Sequence, residues 1–174
     1  KFDKIYQEKT NKDIDTNFCE LKKDDILNDS QYLSLLNIIQ KKFTLLTGFN
    51  DLNFEKLWLV NSSSNDKSKV GLPYIPHIDK RRYLKAMIYL HDVSLEHGPI
   101  HLGKVKNNID IEQKRKELPK DYKEKGLNTI EDEHLEENLS PMLGKAMDVI
   151  FFDTNVPHKA GIIKEGYCRK VLRF

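Results

Sequence analysis

The alternation of apolar and polar positions divides the chain into one helical segment followed by several short strands. Between residues 30 and 48, apolar side chains recur at helical spacing, at Leu35, Leu36, Ile39, Phe43 and Leu46. Ser30 is suited to cap the amino end of this helix, and Gly48 is suited to end it. We therefore predict a helix that packs one face on a core.

After the helix the hydrophobic period shortens towards two, which is typical of strands. Segments with this character lie at 54–61, 83–90, 98–105, 147–153 and 166–174. Helical crossovers are missing between most of them, which disfavours a parallel α/β sheet. We therefore predict a mainly β fold, a double-sheet jelly roll with flanking helices. A loop is predicted at 61–71, where Ser, Asn and Lys dominate.

Length and composition fit a single domain spanning 1–174. The 174 residues are 39% hydrophobic and 32% charged, as expected for a globular chain with much solvated surface. Segment 1–55 is predicted to be a helical support that begins with a polar stretch. Segment 106–140 is a charged insert with helical tracts at 110–118 and 131–138. Its length makes it either a solvated surface or a lid over a substrate.

Charge and composition exclude some partners. A net charge of +2 gives no support for binding nucleic acid or an anionic membrane, and no apolar run approaches the roughly 20 residues that span a bilayer. The first residues have neither an initiator Met nor the apolar core of a signal peptide, so we expect a trimmed chain. Cys19 and Cys168 form no zinc pattern, which favours a reducing cytoplasm. The oligomeric state stays open.

The most informative polar pair is His77 and Asp79, in the segment PHID. Side chains two apart on a strand point to the same face, so the two would converge on one point. This spacing matches the first two members of a 2-His-1-carboxylate facial triad, the ligand set of non-haem Fe(II) oxygenases. A solvated strand end can carry the same residues, so a third ligand from a distant strand is needed.

His158 is the best placed of the remaining histidines. It follows the apolar strand 147–153 and a short turn, which puts it at a strand edge. The others lie in turns, in the next strand or in the acidic tract of the insert, at His91, His97, His101 and His134. Arg169, eleven positions after His158, interrupts the apolar last strand. A buried guanidinium there needs an anion, and it binds carboxylates in a bidentate manner.

Three stretches together resemble the Fe(II)/2-oxoglutarate-dependent dioxygenase superfamily and, within it, the phytanoyl-CoA dioxygenase-like branch. They are PHID, IYLHDVSLEHGPIHL at 88–102, and GKAMDVIFFDTNVPHKAGIIKEGYCRKVLRF at 144–174. The resemblance covers 76–105 and 144–174. It departs from the branch in the turn LGKVKNN and in the separation of Gly144 from Asp148.

The resemblance implies a double-stranded β-helix of the cupin-like type and a role for each matched residue. His77, Asp79 and His158 would bind Fe(II) as the catalytic centre, and Arg169 would hold the distal carboxylate of the cosubstrate 2-oxoglutarate. The keto-acid end of 2-oxoglutarate would chelate the metal, O₂ would take the remaining position, and succinate and CO₂ would be released. Related halogenases have a small residue in place of the carboxylate, so Asp79 favours hydroxylation or another oxidation of a small-molecule substrate over halogenation.

Several assignments stay open. Arg173, four residues further along the same strand face, is the alternative to Arg169 for binding 2-oxoglutarate. Lys85, within the strand 83–90, and Asn61, at the end of an earlier strand, are candidates for contacting the cosubstrate. The alternative function is a non-catalytic, cupin-like module that holds a structural metal or a sugar.

Overall fold

The fold is known from a computed structural model. The structure describes residues 18–21, 28–54, 56–63, 73–104, 110–118, 129–130, 135 and 138–174. Within these ranges no helix is both long enough and apolar enough to cross a membrane.

The predicted first helix, α1, spans Ser30–Thr47. Its amino end is capped by Asp29, whose side chain accepts hydrogen bonds from two backbone N–H groups, so the prediction of Ser30 as the cap was wrong by one residue. Gly48 ends the helix as predicted, with φ of 75°, a left-handed conformation that suits glycine. The buried face contains Tyr32, Leu36, Ile39 and Phe43. Leu46, predicted on this face, is 58% exposed.

Five antiparallel strands form the larger sheet, in the order β1-β2-β10-β4-β8. They are β1 (Phe18–Leu21), β2 (Leu57–Ser63), β4 (Leu84–Tyr89), β8 (Val149–Asp153) and β10 (Cys168–Arg173). Strand β1 was not predicted, because four residues in a polar region carry too little periodicity and the strand is defined by its pairing with β2. Strand β2 extends to Ser63, into the predicted loop, and residues 64–72 lie outside the described part of the chain.

A smaller three-stranded sheet has the order β7-β5-β9. Its strands are β5 (Ile100–Leu102), β7 (Ser140–Pro141) and β9 (His158–Ala160). A further pair joins β3 (Ile78–Asp79) to β6 (Thr129–Ile130). The insert contains the helix α2 (Ile111–Glu117), as predicted for 110–118, whereas most of the second predicted tract lies outside the described residues.

The larger sheet is covered on both faces. On one face Leu59, Ala86, Ile88 and Leu172 pack against α1. On the other, which we call the inner face, Met87, Tyr89, Phe152 and Val171 form a second core with Ile100 of the smaller sheet. Because side chains alternate along a strand, this arrangement also directs Lys85, Arg169 and Arg173 to the inner face. The prediction of a mainly β protein with antiparallel sheets and flanking helices is confirmed.

Leu172 is 0% exposed in the core beneath α1. We expect Leu172→Ala to lower the free energy of unfolding by about 2–5 kcal/mol, because it leaves a cavity between the sheet and the helix. The matched control is Leu45→Ala, at a helical position that is 76% exposed, and it should change stability by less than about 0.5 kcal/mol. Chemical denaturation of both variants measures the difference, and equal effects would contradict this packing.

Candidate metal centre

The structure brings together His77, Asp79 and His158. One potential ligand atom from each lies within 4.8 Å of the others. Nε2 of His158 is 3.6 Å, and Nε2 of His77 is 4.0 Å, from Oδ1 of Asp79. Both histidine side chains are 7% exposed and the aspartate side chain is 18% exposed, so the three form a largely buried cluster.

A backbone bridge sets this arrangement. The N–H of His77 donates to the carbonyl oxygen of His158 at 3.0 Å, and the N–H of His158 donates back to His77 at 2.9 Å. The two histidines are therefore directly paired, although they come from distant parts of the chain. Asp79 follows in β3, two positions on, so its side chain emerges on the same side as that of His77.

The orientation of both imidazole rings is fixed by carbonyl groups of their own chain segments. Nδ1 of His77 lies 2.7 Å from the carbonyl oxygen of Ile75, and Nδ1 of His158 lies 2.9 Å from that of Val156. A carbonyl oxygen only accepts, so Nδ1 carries the proton in each ring. In the neutral ring Nε2 is then left with its lone pair facing Asp79. Burial lowers the pKa of His77, which favours this neutral form.

Asp79 is held in the ionised form. Burial alone would raise the pKa of its carboxyl group, but the interactions of that group with His158 and Lys85 outweigh burial and hold the pKa well below its usual range. Lys85 donates to Oδ2, so Oδ1 is the oxygen that faces the two imidazoles. Lys85 was predicted to contact a cosubstrate, and the structure places it on the carboxylate of the cluster.

Two imidazole nitrogens and one carboxylate oxygen form a set that can hold a metal ion. Among the described residues no fourth His, Cys, Asp or Glu joins this set. Structural zinc sites are usually closed by four protein ligands, whereas a three-residue set leaves positions open for small molecules. The donor set therefore fits a catalytic iron better than a structural zinc ion.

Arg169 lies on β10 in the interior, 7% exposed. One of its Nη atoms donates to the carbonyl oxygen of Gly98, whereas its Nε is buried without a partner. No carboxylate forms a salt bridge with it among the described residues, and burial lowers its pKa. A buried guanidinium in this state is costly unless an anion reaches it. The prediction that Arg169 holds a carboxylate is therefore compatible with its surroundings.

The other predicted contacts differ in their placement. Arg173 also lies on the inner face of β10, with its guanidinium carbon 4.5 Å from the ring centre of Trp58. Asn61 is paired with Lys170 and shares the opposite face with Leu59, towards α1. The contact of Asn61 with the cosubstrate therefore stays a prediction that this position does not support. The sequence placed Asn61 at the end of a strand, whereas β2 continues to Ser63 and its register with β10 decides which residues point inward.

Sequence reasoning missed Arg115, in α2 of the insert. Its guanidinium donates to the backbone oxygens of Asp79 and Lys80, each at 3.1 Å, and to Oδ1 of Asn155. The insert is thus fastened to both turns that carry the metal-site residues. The signal that could have found it is Ile111, buried four positions earlier on the same helical face.

The remaining histidines do not join the cluster. Nε2 of His91 accepts a hydrogen bond from the backbone N–H of Lys170, and His101 lies next to the carbonyl oxygen of Pro99. His97 packs on the ring of Tyr167. His134 lies outside the described residues.

No protein-family model and no curated protein sequence matches the chain. Solved structures do resemble it. The epimerase SnoN, in complex with Fe³⁺, alpha ketoglutarate and nogalamycin RO, aligns with a TM-score of 0.56 and 15% identity over 90% of this chain and 62% of its own. SnoK, a non-haem, alpha ketoglutarate dependent carbocyclase from nogalamycin biosynthesis, aligns with a TM-score of 0.52 and 15% identity, over 90% and 60% of the two chains.

A further similar structure, EvdMO1, aligns with a TM-score of 0.56 and 14% identity over 98% of this chain. The chain spans 41% of the length of EvdMO1 and 62% and 60% of the lengths of SnoN and SnoK. At these identities the likeness shows a shared fold. That fold is the one used by SnoN and SnoK, two non-haem, alpha ketoglutarate dependent enzymes.

We expect His77→Ala and Asp79→Ala each to weaken Co(II) binding by more than about tenfold, because each removes one of three ligand atoms. Co(II) reports the site through its visible absorption and through titration calorimetry. His91→Gln, which removes an imidazole outside the cluster, should leave the affinity unchanged. Equal losses in all three variants would mean that the metal binds elsewhere.

Proposed function

We propose that this protein belongs to the Fe(II)/2-oxoglutarate-dependent oxygenase superfamily, in its phytanoyl-CoA dioxygenase-like branch, and oxidises a small organic molecule. The observation that carries the proposal is the buried cluster of His77, Asp79 and His158. On the inner face of the same fold lies Arg169, which is buried and has no carboxylate partner among the described residues. The cluster fits a metal with open positions, and the guanidinium fits a carboxylate.

We also propose that the two sheets form a double-stranded β-helix. Its support is the strand order, in which β2, β10, β4 and β8 form one layer and β9, β5 and β7 the other, with the bridge from His77 extending the smaller layer to β3. The shared fold with SnoN and SnoK supports the same topology.

The residues would divide the work as follows. Nε2 of His77, Nε2 of His158 and Oδ1 of Asp79 would hold Fe(II), and Arg169 would hold the distal carboxylate of 2-oxoglutarate. Lys85 would keep Asp79 in its orientation through Oδ2. Bound Fe(II) and 2-oxoglutarate supply the activation of O₂, in which 2-oxoglutarate is converted to succinate and CO₂ while the substrate is oxidised.

Hydroxylation is the reaction we propose, because Asp79 occupies the ligand position where a halide would otherwise have room. Proteins of the same fold are described as an epimerase and a carbocyclase, so the product must be identified directly. Mass spectrometry separates the outcomes. Hydroxylation adds one oxygen, ring closure removes two hydrogens and epimerisation leaves the mass unchanged.

With Fe(II), 2-oxoglutarate and O₂ supplied, we expect the wild-type protein to form succinate, including slow turnover without a substrate. His77→Ala, Asp79→Ala and His158→Ala should reduce this to background, because each removes a proposed ligand. His91→Gln should retain it. Background succinate in the wild-type protein, together with tight metal binding, would instead favour a non-catalytic metal-binding module.

Arg169→Ala should raise the concentration of 2-oxoglutarate needed for half-maximal succinate formation by about 10- to 100-fold, since hydrogen bonds to a charged group contribute about 1.5–3 kcal/mol. Arg169→Lys should recover part of the lost affinity for 2-oxoglutarate, because lysine keeps the positive charge but cannot form the bidentate hydrogen bonds of a guanidinium. The measurement is succinate formed against 2-oxoglutarate concentration. An unchanged requirement in Arg169→Ala, with a raised one in Arg173→Ala, would assign the anchor to Arg173.

A further inference from the structure

A cavity of about 640 Å³ lies between α1, residues 49–54, Lys56 and one end of the larger sheet. This volume is within the roughly 300–1,000 Å³ typical of sites for small organic ligands. Most of the wall is apolar and aromatic, including Leu36, Phe43, Leu52, Phe54, Leu84 and Phe174. The cavity can therefore hold the apolar body of a small molecule.

One end of this cavity is lined by a residue that contacts the proposed metal centre. Lys85 and Arg173 belong to its wall, and Lys85 donates to Oδ2 of Asp79. The negative charge of the Asp79 carboxylate also raises the pKa of Arg173, against the larger effect of burial. A molecule in the cavity would thus have one end beside the residues that hold the metal.

The charged residues of the wall are all basic. They are Lys56, Arg82, Lys85 and Arg173, and no Asp or Glu is among the described wall residues. Three have a carboxylate partner: Lys56 pairs with Glu20, Arg82 with Asp153 and Lys85 with Asp79.

Arg173 differs from the other three. Its guanidinium lies over the ring of Trp58 and makes no salt bridge or hydrogen bond with a described side chain. Burial lowers the pKa of Arg173, and the charge of Asp79 acts in the opposite direction. Stacking on an aromatic ring holds a guanidinium in one plane and leaves its N–H groups free to meet a planar anion.

We propose that this cavity is the substrate site and that it takes a carboxylate with an apolar chain or ring, whose carboxylate is bound by Arg173 above Trp58. That the bound molecule is the substrate rests on the function proposed above, whereas the binding itself does not. The cavity encloses the apolar body and Arg173 holds the anionic end near the metal-site residues.

This assignment gives the two inward-facing arginines different anions. Arg169 is buried outside the wall of the cavity, with an unpartnered Nε, and suits the cosubstrate. Arg173 is in the wall and suits the substrate. Among the described residues Arg169 has no carboxylate partner, and Arg173 interacts electrostatically with Asp79 without forming a salt bridge. Two bound anions would therefore compensate the charges of both residues.

Trp58 is the only tryptophan of the chain and lies in the cavity wall, so its fluorescence reports binding directly. The probes are 6-phenylhexanoate and 6-phenylhexan-1-ol, which share the apolar body and differ in the anionic group. We expect saturable quenching or a spectral shift with the acid, in the protein without iron or 2-oxoglutarate. The alcohol should bind about tenfold or more weakly, because it forms no charge-assisted pair with Arg173.

Arg173→Met should reduce the affinity for the acid by about tenfold, to that of the alcohol, and leave the alcohol within about twofold. The affinity of Arg173→Lys for the acid should lie between those of the wild type and Arg173→Met. Lys145→Met, which removes a cation that is 81% exposed and remote from the cavity wall, is the control and should match the wild type. Circular dichroism checks the folding of each variant, and the comparison of acid with alcohol in the wild type needs no variant.

Equal affinity for acid and alcohol, full acid affinity in Arg173→Met, or no saturable signal with the acid would each overturn the proposal. So would a raised 2-oxoglutarate requirement in Arg173→Met with unchanged acid binding, since Arg173 would then serve the cosubstrate. A protein that binds the acid but forms no succinate would keep this site and refute the oxygenase. A protein that forms succinate without binding the acid would refute the site alone.

Discussion

The pair of backbone hydrogen bonds between His77 and His158 is the constraint on which the rest of the site depends. It joins the segment before β3 to the start of β9, and so brings two imidazoles from distant parts of the chain next to each other. Asp79 then follows on the same side of β3. Backbone pairing of this kind does not require any metal, so the ligand atoms are arranged in advance and little ordering remains when an ion binds.

The second constraint is an imbalance of charge inside the fold. Asp79 forms a salt bridge with Lys85 and acts on Arg173 only electrostatically, and Arg169 has no carboxylate partner among the described residues. Cations are expensive to bury without counter-charge. This imbalance supports the two proposals that Arg169 binds the 2-oxoglutarate dicarboxylate and that Arg173 binds a substrate carboxylate.

The insert contributes to the site as well as to the surface. Through Arg115, α2 is hydrogen-bonded to the backbone at Asp79 and Lys80 and to Asn155. A displacement of this helix would therefore also shift both segments that carry the candidate metal-site residues. The sequence presents α2 as a charged helix with one apolar residue on its inward face, which accounts for its prediction as a solvated lid.

Prediction from sequence succeeded where local periodicity carries the information. The pattern of α1 and the apolar strands follow from it, and so does the shared face of His77 and Asp79. It failed where the decisive partner is distant. Strand β1 exists because the distant strand β2 offers an edge. At the start of α1 the prediction failed for a local reason, because Asp29 and Ser30 are both suitable caps and Asp29 forms the hydrogen bonds.

The chain by itself determined the kind of residues at the site, the mainly β character of the fold and the direction of each side chain relative to its neighbours on a strand. Only the tertiary structure decided which strand faces meet. In the tertiary structure Asn61 lies on the face towards α1, and Lys85 donates a hydrogen bond to Asp79. Arg173 lies over the ring of Trp58, whereas Arg169 donates to the carbonyl oxygen of Gly98. The physical reason is that strand period is local, whereas the register between distant strands is chosen by the hydrogen-bond ladder and the packing of both cores together.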